Sequence, residues 1–309
     1  MTTALITHPA CLGHDTGPYH PECPDRLRRV LQALEHPHFT TLLRDLAPRA
    51  TEAQLALAHP LEYVQAILAV APEPGRRIAL DADTIMSEGS REAALRAAGG
   101  AIMAVDAVME GWAKQVFVAA RPPGHHAERD QPMGFCFFAN AAIAARHAQT
   151  RWNLARVAVV DFDVHHGNGT QHIFQDDPSL FYASSHQYPC YPGTGAASER
   201  GVGNIVNAPL PPGAGSAAFR EAWDTLILPE LHRFAPNLLI VSAGFDAHKA
   251  DPLAQLRVET ADFAWLTTRL MDTARTHCQG RLVSLLEGGY DLDALAESAA
   301  AHVRALMEG

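Results

Sequence analysis

Asp161-Phe162-Asp163-Val164-His165-His166 follows directly on Val157-Ala158-Val159-Val160, four apolar residues in a row. An unbroken run rich in β-branched side chains predicts a strand over 156–161 that is buried on both faces, as in a parallel sheet. Two carboxylates and two imidazoles then stand where that strand ends, the edge at which open α/β sheets build their sites. Period-two alternation puts Asp161, Asp163 and His165 on one side and Phe162 and Val164 on the other. A carboxylate and an imidazole two residues apart on one face suit a borderline cation such as Zn²⁺. Loop acids beside a structural histidine would look the same, and the segment alone leaves that reading open.

Outward from this strand, apolar runs alternate with amphipathic ones, the pattern of a parallel sheet flanked by helices. Further strands are predicted over 4–7, 115–119, 180–184, 237–243 and 281–286, and helices over 24–35, 60–70, 91–110, 139–151, 216–234, 260–277 and 291–307. Pro24 suits a first helical turn, and Thr260 with Asp262 places a cap and an acid at another. The Pro-, Gly- and His-rich stretches 71–76, 121–134 and 188–215 read as loops over the sheet. No repeat or low-complexity tract interrupts the pattern, so residues 1–309 read as one domain.

The composition narrows the function classes. With 48% hydrophobic residues the chain can bury a large core, and a net charge of −10 argues against duplex nucleic acid as the main partner. Seventeen histidines direct attention to metal and proton-transfer sites. Cys11, Cys23, Cys136, Cys190 and Cys278 are odd in number and lack zinc-ribbon spacing, which fits a reducing cytoplasm. The N-terminus does not read as a signal peptide, and no apolar run nears the roughly 20 residues of a membrane span. The expectation is a soluble, cytoplasmic protein with no nucleic-acid or membrane partner; a homo-oligomer is compatible with it.

Three other strand ends carry chemistry. Strand 115–119 runs into Arg121-Pro122-Pro123-Gly124-His125-His126, a stiff turn delivering adjacent imidazoles. Strand 237–243 ends in Gly244-Phe245-Asp246, a third candidate metal ligand. Strand 281–286 ends in Glu287-Gly288-Gly289-Tyr290, where paired glycines admit close backbone approach and aim a phenol. Singly, each has a plain structural explanation: a satisfied histidine cluster, a helix N-cap at Asp246, a core aromatic bonded at its rim. In a parallel sheet all four ends share one edge, so the structural explanations need four coincidences and convergence needs none.

With these residues in view, the chain resembles the zinc-dependent histone deacetylase superfamily. The resemblance runs from Gly17-Pro18-Tyr19-His20-Pro21-Glu22-Cys23-Pro24-Asp25-Arg26-Leu27 to Glu287-Gly288-Gly289-Tyr290. Pro122-Pro123-Gly124-His125-His126-Ala127 and Ser242-Ala243-Gly244-Phe245-Asp246 resemble the class II branch and its bacterial amidohydrolase relatives. The resemblance implies an arginase–deacetylase fold, a three-layer α/β/α arrangement around a mainly parallel sheet. It implies one catalytic Zn²⁺, or Fe²⁺ in its place, on Asp163, His165 and Asp246. It makes His126 the general base, oriented by Asn168 where class I enzymes carry Asp. It makes His125, held by Asp161, an electrostatic partner, and Tyr290 the donor to the oxyanion. Gly134, Phe135 and Tyr191 match the floor and facing walls of a tunnel suited to an aliphatic stem, with Asp83, Leu253 and Gly289 also on the substrate side. Arg26 matches an arginine buried below the metal near an acetate channel, and Ala139 stands where an Asn is common. Structural K⁺ is implied at Asp161, Asp163, His165, Ser184 and Ser185, and a second such site at Phe174, Asp177 and Leu180.

The activity so implied is hydrolysis of acetyl-lysine or another small acyl amide to an amine and a carboxylate. An acetylpolyamine amidohydrolase is the alternative, but the glutamate seven residues after the last metal Asp in polyamine-selective relatives is here Leu253. An arginase-like ureohydrolase with two Mn²⁺ would need further carboxylates beside Asp246, where the chain offers Phe245 and Ala247. A non-catalytic module sensing acylated ligands would be marked by loss of Tyr290 or a metal ligand, and none is lost.

Overall fold

The computed structural model describes residues 2–309. Among these residues ten strands form: β1 (Thr3–Thr7), β2 (Leu43–Leu46), β3 (Arg77–Ala79), β4 (Ile85–Ser87), β5 (Gln115–Val118), β6 (Val157–Asp161), β7 (Leu180–Gln187), β8 (Ile205–Leu210), β9 (Leu238–Ala243) and β10 (Leu282–Leu286). Eight of them build one sheet in the order β2-β1-β5-β10-β9-β6-β7-β8. Every neighbouring pair in it is parallel, while β3 and β4 form a separate antiparallel hairpin. The expected mainly parallel sheet is wholly parallel.

The six expected strands are its interior and are buried along their length, which is why they carry unbroken apolar runs. The two unexpected strands of this sheet are its edges. β2, Leu-Arg-Asp-Leu, is exposed at all four positions. β8 lies inside the stretch 188–215 expected to be loop, and Asn207 and Pro209 break its pattern. Proline is tolerated on an edge, where a lost ladder donor faces no partner strand.

The helices are α1 (Pro24–Ala33), α2 (Glu52–Leu55), α3 (Leu61–Ala69), α4 (Ser90–Glu110), α5 (Asn140–Trp152), α6 (Asn168–Phe174), α7 (Ser216–Ala222), α8 (Leu228–Phe234), α9 (Thr260–His277) and α10 (Leu292–Glu308). α4 and α5 cover one face of the sheet; α1, α9 and α10 pack together on the other, giving three layers. The single helix expected over 216–234 is divided by a π turn, Trp223–Ile227. Pro229, in the first turn of α8, has no N–H for the carbonyl four residues back, and the wider turn absorbs that loss. No helix of the described residues is long and apolar enough to cross a membrane.

One buried histidine ties the second helical layer to the sheet. His302 of α10 shares hydrogen bonds with Thr267 Oγ1 (2.6 Å) and Ser284 Oγ (2.8 Å) and packs against Phe117, Phe162 and Phe245. Burial holds its pKa down to about 3. Above the ordinary value near 6.5 the ring is neutral folded or unfolded and pH has no leverage. As pH falls from there towards 3, the unfolded chain takes up a proton that the native state refuses, at a cost of about 1.4 kcal/mol per pH unit. His302→Gln keeps a donor and an acceptor but cannot be protonated. Its urea-unfolding free energy should fall less steeply between pH 6.5 and 4 than that of the parent; equal slopes would remove His302 from the acid response.

Candidate active site

The C-terminal ends of β5, β6, β9 and β10 lie on one edge of the sheet because all run the same way. At the end of β6 the backbone folds onto its own carboxylates: Asp163 N–H donates to Asp161 Oδ1 (3.0 Å) and His165 N–H to Asp163 Oδ1 (2.9 Å). Asp246, just past β9, accepts from Val164 N–H (2.8 Å), and Asp163 accepts from Gly288 N–H beyond β10 (2.8 Å). These cross-strand bonds draw the three ends together.

Asp163, His165 and Asp246, all buried, place one potential ligand atom each within 4.8 Å of the others. His165 Nδ1 lies 3.3 Å from Asp163 Oδ1 and 3.1 Å from Asp246 Oδ2. A Cβ at Gly288 would sit 2.2 Å from Asp246 Oδ2, and one at Gly244 2.0 Å from Asp163 Oδ2, so only glycine leaves this cradle open. Two buried carboxylates facing one imidazole carry an excess of negative charge that a divalent cation would offset. The donor set fits a catalytic rather than a structural ion, since three protein ligands leave positions free.

Beside this cluster, His125 and His126 come from the turn after β5. His125 Nδ1 is 3.0 Å from Asp161 Oδ2, which also accepts from Tyr182 Oη (3.1 Å). Burial opposes charging of His125, but the Asp163 and Asp161 carboxylates outweigh it and push its pKa up to about 10. His126 is driven the other way, well below 6.5, by burial and by the charge of His125 and His165. Its Nδ1 is 2.8 Å from Oδ1 of Asn168, the first residue of α6. Burial favours the neutral form of Asp246, reinforced by Asp163, and lifts its pKa to about 7. The Tyr290 phenol is held well above its usual range by burial, although Arg26, 4.8 Å over its ring, works against this.

A cavity of about 170 Å³ leads to the cluster, lined by Asp83, His126, Gly134, Phe135, His165, Tyr191, Leu253 and Tyr290. Its wall is pinned from outside. Phe135 adopts φ +70°, rare for a residue with a side chain, and Thr84 Oγ1 accepts its N–H (3.2 Å) while Asp83 Oδ1 accepts that of Gly134 (3.1 Å). Asp251, buried, accepts from Leu253 N–H through Oδ1 (3.0 Å) and from Tyr290 N–H through Oδ2 (2.6 Å).

The structure thus gathers His125, His126, Asp161, Asn168, Tyr290, Asp163, His165 and Asp246, with Asp83, Gly134, Phe135, Tyr191 and Leu253 around the approach. Two expectations need correction. Gly289 does not line the cavity: at φ +123° its carbonyl turns to Arg26 Nε (2.5 Å), and its part is to aim Tyr290 inward. The carbonyls of Phe174, Asp177 and Leu180 do converge, but on Nδ2 of Asn204, at 2.8, 3.0 and 2.8 Å. Asn204 Oδ1 accepts Val202 N–H, which fixes the amide that way round. These residues therefore do not fit a second potassium site. Asp161 and Ser184, of the first, pair across β6 and β7, with Ser185 following.

Several groups around the site escaped the sequence reading. Glu287 accepts from Gly124 N–H (2.7 Å), His125 N–H (3.2 Å) and Ser242 Oγ (3.1 Å), fastening the His125-His126 turn to β9 and β10. Glu22 joins Arg26 (2.9 Å) and Arg121 in a fully buried network whose Arg26 lies over the Tyr290 ring. Glu128, in the loop after His126, bonds Asn168. Glu22 and Glu287 stand inside the two stretches that carry the resemblance, without a role being read for either, and nothing in the sequence marked Glu128.

Comparison with known proteins is consistent with this geometry. The model of the histone deacetylase domain matches residues 20–306. The histone deacetylase-like amidohydrolase of Pseudomonas aeruginosa is 39% identical over 311 residues, covering 93% of this chain and 81% of that protein. Chloroplastic histone deacetylase 14 of Arabidopsis thaliana is 41% identical over 323 residues, covering 96% and 75%. The crystal structure of the HDA15 HD domain superposes with a TM-score of 0.93 at 36% identity, over 99% of this chain and 88% of that one.

Proposed function

Since this chain belongs to the histone deacetylase family and is by that kinship a deacetylase-type amidohydrolase, we propose that it cleaves acetyl-lysine or a related small acyl amide at a single divalent ion. The observation that carries the proposal is the meeting of Asp163, His165 and Asp246 within 4.8 Å, at the foot of a narrow cavity that also admits His126 and Tyr290.

Asp163, His165 and Asp246 would hold Zn²⁺, or Fe²⁺ in its place, and the ion when bound supplies Lewis acidity toward the amide carbonyl and the attacking water. His126, kept neutral by burial and by its charged neighbours, offers Nε2 as the base because Nδ1 faces Asn168 Oδ1. It takes the proton of the water and returns it to the departing nitrogen as the C–N bond breaks, leaving an amine and a carboxylate. His125, with Nδ1 held 3.0 Å from Asp161 Oδ2, would supply positive charge beside the reacting carbonyl. Tyr290, whose phenol burial keeps protonated, donates to the developing oxyanion. Phe135 and Tyr191 flank an aliphatic stem at the approach, with Asp83 at its mouth. A structural potassium ion against the backbone of Asp161, Asp163, His165, Ser184 and Ser185 belongs to the same proposal.

Leu253 at the cavity mouth favours lysine-type amides over polyamines, since it presents no charge to a cationic chain. The test is a turnover panel on the zinc-restored protein, with acetyl-lysine peptides, longer acyl-lysines, acetylputrescine and acetylspermidine. Acetyl-lysine should be turned over fastest, and Leu253→Glu should shift the ratio toward the acetylpolyamines by about 10-fold, the scale of one close ion pair. Faster turnover of acetylpolyamines by the parent protein would reverse the substrate assignment.

A further inference from the structure

The asparagine behind His126 has a weakness that a carboxylate would not. Its amide can present oxygen or nitrogen, and the two choices impose opposite tautomers on the imidazole. With Oδ1 toward Nδ1, as here (2.8 Å), the histidine carries its proton on Nδ1 and leaves Nε2 free. With the amide reversed, Nδ1 would have to accept, and Nε2 would hold the proton.

The structure contains a group that distinguishes the two. Glu128 Oε1 accepts from Asn168 Nδ2 at 2.5 Å, and its other oxygen, Oε2, bonds Nδ1 of His172, about one turn further along α6. A carboxylate only accepts hydrogen bonds, so it tolerates the nitrogen of the amide and repels its oxygen. The remaining neighbours of Nδ2 bias it the same way but more weakly, being uncharged and farther off: the His126 carbonyl at 3.3 Å and the thioether of Met133 at 3.3 Å. Glu128 is itself held at both ends, its backbone N–H donating to the Gln131 carbonyl (2.9 Å) and its carboxylate bound to His172. His172 is half exposed, whereas Asn168 and His126 are buried, so the row passes from solvent to the site.

We infer that Glu128 is a positioning residue that locks the Asn168 amide in one orientation and thereby sets the tautomer of His126. This rests on His126 being the base, but the orientation itself can be measured without catalysis. Glu128 touches neither substrate nor reacting atoms; it acts through Asn168.

The experiment records long-range ¹H–¹⁵N spectra of the full chain, with and without zinc, assigning His126 by comparison with His126→Gln. The parent should show His126 protonated at Nδ1. Glu128→Ala should convert a large fraction to the Nε2-protonated form and lower kcat on an acetyl-lysine peptide by about 10- to 100-fold, the range for partners behind a working histidine, with KM within about twofold. Glu128→Gln, turning its amide oxygen to Asn168, should restore the parent tautomer and most of kcat. An unchanged His126 spectrum in Glu128→Ala, with a melting temperature near the parent's showing that the variant is folded, would overturn the inference. So would Glu128→Gln behaving like Glu128→Ala, because charge and not orientation would then be at work. If the parent hydrolyses no acyl-lysine while the tautomer still follows Glu128, the positioning role stands and the substrate assignment falls.

Discussion

Asp246→Asn is expected to strip the protein of its metal and bring acetyl-lysine turnover to background. The substitution preserves shape and keeps an oxygen for Val164 N–H, so what it removes is the charge. A neutral amide is a poor ligand for a borderline cation compared with a carboxylate. Even partners one layer behind a ligand are worth about 10- to 100-fold in affinity, so losing the ligand itself should cost at least about 100-fold. Zinc added at 100 times its dissociation constant should stabilise the parent by about 2.7 kcal/mol, and the variant scarcely at all. Without metal the variant should melt no lower than the parent, because one of two buried carboxylates sharing the space around His165 has become neutral. Elemental analysis showing one tightly held zinc in Asp246→Asn would dismiss Asp246 as a ligand.

Tyr290→Phe should leave metal content and melting temperature unchanged while kcat falls by about 10²- to 10³-fold, the scale for removing one oxyanion donor. The phenyl ring still packs 5.9 Å from Phe135 and beneath Arg26. Its backbone remains bound to Asp251. Only the hydroxyl is gone. KM should move little, because a bond made mainly in the transition state contributes to kcat and not to ground-state binding. Turnover within about twofold of the parent would exclude the phenol from the reaction.

The sequence made these residues legible because a parallel sheet converts local order into spatial convergence. Once 115–119, 156–161, 237–243 and 281–286 read as buried parallel strands, His126, Asp163, Asp246 and Tyr290 had to share an edge. The edge strands were harder to see. β2 lacks the cover that forces an apolar run and drew no assignment, while β8, though largely buried, is broken by Asn207 and Pro209 and read as loop. Single-residue orientation was harder still. The carbonyl of Gly289 turns toward Arg26, 263 positions away in the chain. The amide of Asn204 gathers three carbonyls from a separate turn. Glu128 and Glu287 are ordinary acids in composition and acquire their place only through bonds to distant backbone or amide groups. Such contacts leave no periodicity to read.

Asp251 holds the backbone of Leu253, at the cavity wall, and that of Tyr290 from the two oxygens of one side chain. On the proposed function, the residue assigned to selectivity and the residue assigned to rate share one carboxylate. A change at position 253 that moves its backbone is therefore expected to reach Tyr290 through Asp251, with a cost in turnover even when the new substrate binds well. Paired changes at the two positions should therefore deviate from the product of their separate effects.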